Sequence, residues 1–180
     1  ESDKVVINLT KKAGAGSLAH EWWHSLDNYF SRMRGDKENF LTERPYKLKE
    51  AGVRPEMIEA FNAIMQAVKQ TGLKQRSQML ERTAKEYWST GREMTARAYE
   101  SYIIAKLQDQ GQSNDYLANI VSEDYWNAAA ALGLELEGTY PYPQAAEIPV
   151  IRAAFDNFFN VIESKETDQG VALFSLSDNA

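Results

Sequence analysis

The chain has 180 residues, 43% of them apolar, which is enough for one domain with a sizeable core. A net charge of −6 argues against a general polyanion binder, and no apolar run reaches the roughly 18 residues that a membrane-spanning helix needs. Cysteine is absent, so disulfides and thiolate metal sites are excluded, and a reducing compartment fits. The charge is uneven: residues 1–90 carry 15 basic and 12 acidic side chains, residues 91–180 carry 5 and 14. That asymmetry reads as ordinary solvated helix faces, the alternative being a peptide groove with one basic side.

Taken in order, the chain begins at Glu1 without a signal pattern, directly before a predicted strand. It is expected to be a fragment of a longer protein. Residues 4–10 (KVVINLT) are β-branched and predict a strand. Gly14 and Gly16 form a loop, Ser17 is an N-cap, and residues 17–31 predict a helix with Leu18, Trp22, Leu26, Tyr29 and Phe30 on its apolar face. Residues 32–50 are polar and read as a long irregular connection. Pro55 opens a helix over 55–71, carrying Met57, Ile58, Phe61, Ile64, Met65 and Val68, and Gly72 ends it.

The pattern then predicts a helix over 75–88 with Met79, Leu80, Ala84 and Tyr87 facing inward, and another over 92–109. A polar turn at 111–116 leads to a short helix at 115–120 and a further helix at 123–132. Residues 138–143 are held extended by two prolines. The last helix is expected over 144–165, with Pro149 marking a possible later start, and Ile151, Ala154, Phe155, Phe158, Phe159 and Ile162 spaced to pack. Residues 166–180 read as a flexible tail. The expectation is a mainly α (α+β) domain over 1–165, with a small N-terminal β element and several packed helices.

His20-Glu21-Trp22-Trp23-His24 spells His-Glu-x-x-His, the two-histidine half of a zinc metallopeptidase site. These are the only two histidines in the chain. Four residues apart on a helix, they lie on one face and can share an ion. Glu21 flanks them, placed to act as general base on a bound water. A catalytic zinc usually keeps three protein ligands, and with no other His or Cys the third must be a carboxylate. Glu93 and Glu100 are the candidates; with Arg97 between them they share one helix face, and a surface Glu-Arg-Glu ladder is the plain alternative. Asp27 shares the histidine face, either to orient a histidine or to pair with an arginine such as Arg97. Tyr116, Tyr140 and Tyr142 are candidates for a second electrophile. Strand 4–10 could receive an extended substrate by edge addition.

With a distant Glu93-x-x-Ala96-x-x-Tyr99, the motif resembles the gluzincin arrangement and the ImmA/IrrE-type metallopeptidases, and that resemblance singles out Glu93 as third ligand. Residues 6–10, 14–21, 93–102 and 114–118 and the Tyr142-Pro143 segment resemble the zincin-like module of large polyvalent proteins carried by phages and conjugative elements. The resemblance implies a zincin-like fold, a zinc-dependent peptidase acting on a protein or peptide substrate, and a site in the bacterial host cytoplasm, reached with transferred DNA. A catalytically inactive zincin-fold interaction module is the alternative. The acidic charge and the lack of a basic aromatic face argue against direct nucleic-acid binding.

Overall fold

The helices follow from periodic apolar residues that meet in one core. The computed structural model of the chain describes residues 7, 16–32, 39–43, 55–81, 85–168 and 170–175, with 163–167 and 170–175 as backbone only. Helix α1 (Leu18–Arg32) buries Ala19, Trp23, Leu26 and Phe30, a 4-3-4 spacing. Trp23, and not Trp22, is therefore the core tryptophan; Trp22 is 37% exposed. A 3-10 turn (Leu41–Glu43) buries Leu41 and Thr42. Helix α2 (Pro55–Gln70) opens on proline, whose missing N–H would be unpaired in a first turn anyway, and buries Met57, Phe61, Ile64, Met65 and Val68. The strand expected at 4–10 lies outside the described residues except for Ile7, which is in no regular element.

Helix α3 (Leu73–Met79) is much shorter than the helix expected over 75–88. Leu80 is buried as expected, but Met79 and Tyr87 are exposed, and Ala84 lies outside the described residues. The cause is a competing side chain. The Glu81 carboxylate accepts hydrogen bonds from the backbone N–H groups of Tyr87 and Ser89 and from the Ser89 hydroxyl, which turns the chain back on itself.

Helix α4 (Gly91–Asp109) is the central element. Thr90 caps it, its hydroxyl accepting from the Glu93 N–H at 3.3 Å. From Glu93 to Tyr102 every residue is buried, so this helix has no solvent face there and its polar side chains need partners. The short helix expected at 115–120 is instead a set of turns, because the Asn114 side-chain oxygen accepts from the N–H groups of Tyr116 and Leu117. Gly16 joins this turn to α1: its N–H donates to the Tyr116 carbonyl and its carbonyl accepts from the Asn119 N–H. With φ at +87° and a Cβ-equivalent position 2.7 Å from the Asn119 Cβ, only glycine fits there.

Helix α5 (Glu123–Ala131) is capped by Ser122 and buries nothing. Helix α6 (Ile148–Asn160) starts later than 144, because Glu147 accepts from the Gln144 N–H and holds a turn ahead of it. It also stops short of 165. Strand β1 (Ile162–Thr167) pairs antiparallel with β2 (Gly170–Ser175), in register from Ile162 opposite Ser175 to Thr167 opposite Gly170. The partner strand takes up the backbone groups that a longer helix would have used.

Helices α1, α2, α4 and α6 meet around an aromatic centre. Trp23 stacks on Tyr99 with ring centroids 5.3 Å apart and meets Phe155 edge-on at 5.1 Å and Phe158 at 5.8 Å. Phe61 packs on Phe158 from α2. The described chain is thus mainly helical, and α1 is held rigidly across α4.

Candidate metal centre

Successive turns of α1 present His20 and His24, and their Nε2 atoms lie 3.1 Å apart. Across from them, α4 presents the 5%-exposed Glu93. Its Oε2 is 3.4 Å from His20 Nε2 and its Oε1 is 3.4 Å from His24 Nε2. The three residues converge with ligand atoms within 4.8 Å of one another. Nitrogen and oxygen ligands at 2.0–2.2 Å in a tetrahedron stand about 3.4 Å apart. The histidine pair and each histidine's contact with one of the two Glu93 oxygens are close to that edge, so the three residues could hold a divalent metal ion.

Glu100, two turns beyond Glu93 on the same face of α4, completes the arrangement. His20 Nδ1 lies 3.1 Å from Glu100 Oε2. A carboxylate accepts only, so Nδ1 carries the proton and donates it, and the Nε2 lone pair points at the metal position. The field is strongly cation-seeking. Burial acts to lower the His20 pKa, yet the carboxylates of Glu100 and Glu93 overcome it and raise it to about 9. Glu93, although buried, is held well below the usual carboxylate range by the two imidazoles. A proton and a metal ion compete for the same lone pair here.

His24 is less supported, since its Nδ1 is buried with no hydrogen-bond partner among the described residues. Its ring meets Phe40 edge-on at 5.8 Å. Arg92 links that ring to the site: its guanidinium sits 4.8 Å from the Phe40 ring centroid and its Nε 3.4 Å from Glu93 Oε1. Asp27 orients neither histidine. It accepts from the Thr42 N–H at 2.9 Å and from the Thr42 hydroxyl at 2.5 Å, anchoring the 3-10 turn to α1. Burial raises its pKa to about 6 against the opposing pull of those hydrogen bonds.

Glu21 lies in the first turn of α1, half-buried, and its carboxylate has no hydrogen bond or ion pair among the described residues. Arg97 does not bridge Glu93 and Glu100 as a ladder would. Buried at 3% exposure, it donates to the carbonyls of Glu93, Pro141 and Trp88 and to the Ser77 hydroxyl. It thereby clamps the 85–89 and 139–142 loops against α4. Each loop brings a tyrosine towards a site carboxylate. Burial and the Glu93 carboxylate raise the Tyr87 phenol, and burial and Glu100 raise that of Tyr142. The Tyr140 hydroxyl is used up on the Val121 carbonyl, and Tyr116 is exposed on its turn. Tyr87 was not singled out from the sequence, where a helical reading of 75–88 turned it into the core. The contact of Glu100 with His20 had one available signal, its seven-residue spacing from Glu93.

Residues 79–166 match the family model described as large polyvalent protein-associated domain 1. That likeness supports an association with polyvalent proteins. The matched stretch contains Glu93 and Glu100 but stops short of α1, so it covers the carboxylate wall of the site and not the histidine wall. No curated protein matches the chain, and no solved structure does. Among the described residues, no helix is long and apolar enough to cross a membrane.

Proposed function

We infer that the chain is a zincin-like, zinc-dependent metallopeptidase domain, working within a polyvalent protein on protein or peptide substrates in a bacterial host cytoplasm. One observation carries the reading: two imidazole nitrogens and a buried carboxylate form a triangle of metal-binding size, with a second carboxylate fixing the tautomer of one histidine. A surface ladder would need neither the burial nor the convergence.

Zinc held by His20, His24 and Glu93 would lower the pKa of a bound water to about 7 and polarise the scissile carbonyl. Glu21 takes the proton from the attacking water and returns it to the leaving amine. Glu100 keeps His20 in its ligating form. Tyr87 and Tyr142, whose phenols are raised by Glu93 and Glu100, are the candidates for a second donor to the developing oxyanion.

The test is metal analysis of the purified chain together with cleavage of a proteome-derived peptide library. One equivalent of zinc, lost in His20→Ala, with cleavage abolished in Glu21→Gln, is the expected result. Zinc below about half an equivalent, unchanged by His20→Ala, overturns the metal reading. Stoichiometric zinc without cleavage favours an inactive zincin-fold module.

A further inference from the structure

Helix α5 is capped at both ends yet covers nothing. The Ser122 hydroxyl accepts from the Tyr125 N–H at 3.2 Å and starts it. Gly133, at φ +73°, closes the other end: its N–H donates to the Ala130 carbonyl at 2.8 Å, and the Leu134 N–H donates to the Ala129 carbonyl at 3.0 Å. One side of the helix is attached. Trp126 meets Tyr140 edge-on, and the Gln144 amide donates to the Glu123 carboxylate at 2.6 Å. Tyr125, Ala128 and Leu132 fall at i, i+3 and i+7, which places them on one face, and all three are exposed.

A helix end of this kind frequently folds the second residue past its cap back onto the last turn. Leu134 holds that position and is 74% exposed; Leu132 is 78% and Tyr125 69%. These are the three most exposed large apolar side chains among the described residues, and Leu136 is exposed as well. Single apolar residues in water are ordinary, but four gathered between residues 125 and 136, on a hydrogen-bonded helix end, mark a contact surface.

The surrounding charge says what covers it. Between Lys106 and Arg152 the chain has seven acidic residues and no lysine or arginine. Glu147 is paired with Arg76, and Asp109 with Arg152. Asp124, Glu135 and Glu137, which alternate with the apolar residues along the chain, make no ion pair among the described residues. A second copy docked through the same face would set these carboxylates against themselves. The phosphates of a nucleic acid or an anionic bilayer would be repelled. Lysine and arginine are the side chains that such a rim attracts.

We propose that the exposed face of α5 and the leucines that follow it are a docking surface for a basic amphipathic helix of a partner protein. Its apolar side chains lie on Tyr125, Leu132 and Leu134, and its lysines or arginines meet Asp124, Glu135 and Glu137. Ala128, between the larger Tyr125 and Leu132, leaves a low point that a partner side chain can enter. The surface shares no residue with the metal centre, so the inference stands apart from the peptidase reading.

The experiment titrates the full chain with a synthetic peptide of leucine and lysine whose leucines recur at helical spacing. Two control peptides carry glutamate for every lysine, or the same composition in strict alternation. Fluorescence anisotropy gives the affinities and backbone amide shifts give the place. The helical lysine peptide is expected to bind in the micromolar range and to shift residues 123–137. Leu132→Ser and Leu134→Ser, both at exposed positions, should each weaken it about tenfold. Glu135→Lys with Glu137→Lys should weaken it about tenfold as well, and binding should fall with added salt. Glu56→Lys with Glu59→Lys, an equal charge change on the exposed side of α2, should leave the affinity within about twofold. No binding below about 1 mM, equal affinity for either control peptide, an equal loss in the α2 variant, or shifts centred outside residues 123–137 overturns the proposal. Dimerisation of the chain alone that Leu134→Ser abolishes assigns the face to a second copy, and co-sedimentation with phosphatidylcholine vesicles that the same change abolishes assigns it to a lipid surface; either result overturns the basic helix as its occupant.

Discussion

His20 Nδ1 and Glu100 Oε2 stand 3.1 Å apart, joining the motif helix to the central helix through the ring nitrogen that faces away from the metal position. Glu93 meets the other nitrogen of the same ring. On the proposed reading the two carboxylates have different jobs, and substitutions should separate them. Glu93→Gln removes a charged ligand and should abolish stoichiometric zinc binding. Glu100→Gln leaves three ligands in place and should weaken zinc by about 10- to 100-fold, the usual effect of losing a partner behind a ligating histidine. Competition against a chelator of known affinity measures both. If Glu100→Gln loses zinc as completely as Glu93→Gln, the assignment of ligand and orienter fails.

Glu21 is tested by a substitution that preserves shape. Glu21→Gln should keep one equivalent of zinc and lower peptide cleavage by about 100- to 10,000-fold, the contribution expected of a positioned general base. Metal content and kcat/KM are read on the same preparation. Undiminished cleavage by the variant would remove Glu21 from the mechanism.

Much of this arrangement was legible because it rests on short-range spacing. The four-residue step from His20 to His24 places both imidazoles on one face whatever the rest of the chain does. The stretch from Glu93 to Tyr102 mixed acids with small residues, which marked α4 as unusual, but spacing alone left Glu93 and Glu100 even. The choice between them depends on which ring nitrogen each meets, a tertiary fact. Trp22 and Trp23 show the same limit: adjacent residues differ by about 100° around a helix, both meet Tyr99, and Trp23 is the buried one because it also meets Phe155 and Phe158 of α6. The helix expected over 75–88 failed for another reason. Its apolar positions fit the helical period, but the Glu81 carboxylate offered the backbone of Tyr87 and Ser89 a better partner than a further helical turn. The Tyr87 that this loop carries towards Glu93 was consequently misplaced.

The hold of α1 on α4 makes a prediction about stability. The Trp23 indole N–H donates to the Thr95 hydroxyl at 2.9 Å in the buried core, and that hydroxyl donates onward to the Gly91 carbonyl at 2.8 Å. Thr95→Val keeps the shape and strands the indole N–H. The cost should be about 1–3 kcal/mol, which for a domain of this size lowers Tm by about 2–4 °C per kcal/mol. Thr95→Ser keeps the hydroxyl and should recover most of the loss. Thermal unfolding of the two variants decides it: a Thr95→Val chain that lost no Tm would show that the hydrogen bond to the indole contributes nothing.

A second buried ionic cluster, remote from the metal centre, sets a pH dependence. Glu147 accepts from Arg76 Nη2 at 2.7 Å, from the Gly72 N–H at 2.7 Å and from the Gln144 N–H at 2.8 Å, pinning the turn before α6 to the start of α3. Burial acts to raise its pKa, but the Arg76 guanidinium and the two backbone donors outweigh it and hold the carboxyl below its ordinary value of 4.5. The unfolded chain thus binds a proton at a higher pH than the folded one. The stabilisation is fully present above about pH 4.5 and is lost as pH falls through the depressed folded value. Glu147→Gln removes the charge but not the shape, leaves the 9%-exposed Arg76 without its counterion, and should cost about 1–3 kcal/mol at pH 7. The gap between wild type and variant should narrow as the pH is lowered below 4.5, because the wild-type carboxylate is itself being protonated. Urea unfolding of both proteins between pH 3 and pH 7 measures the gap, and a difference that stayed constant across that range would show that the charge on Glu147 contributes nothing.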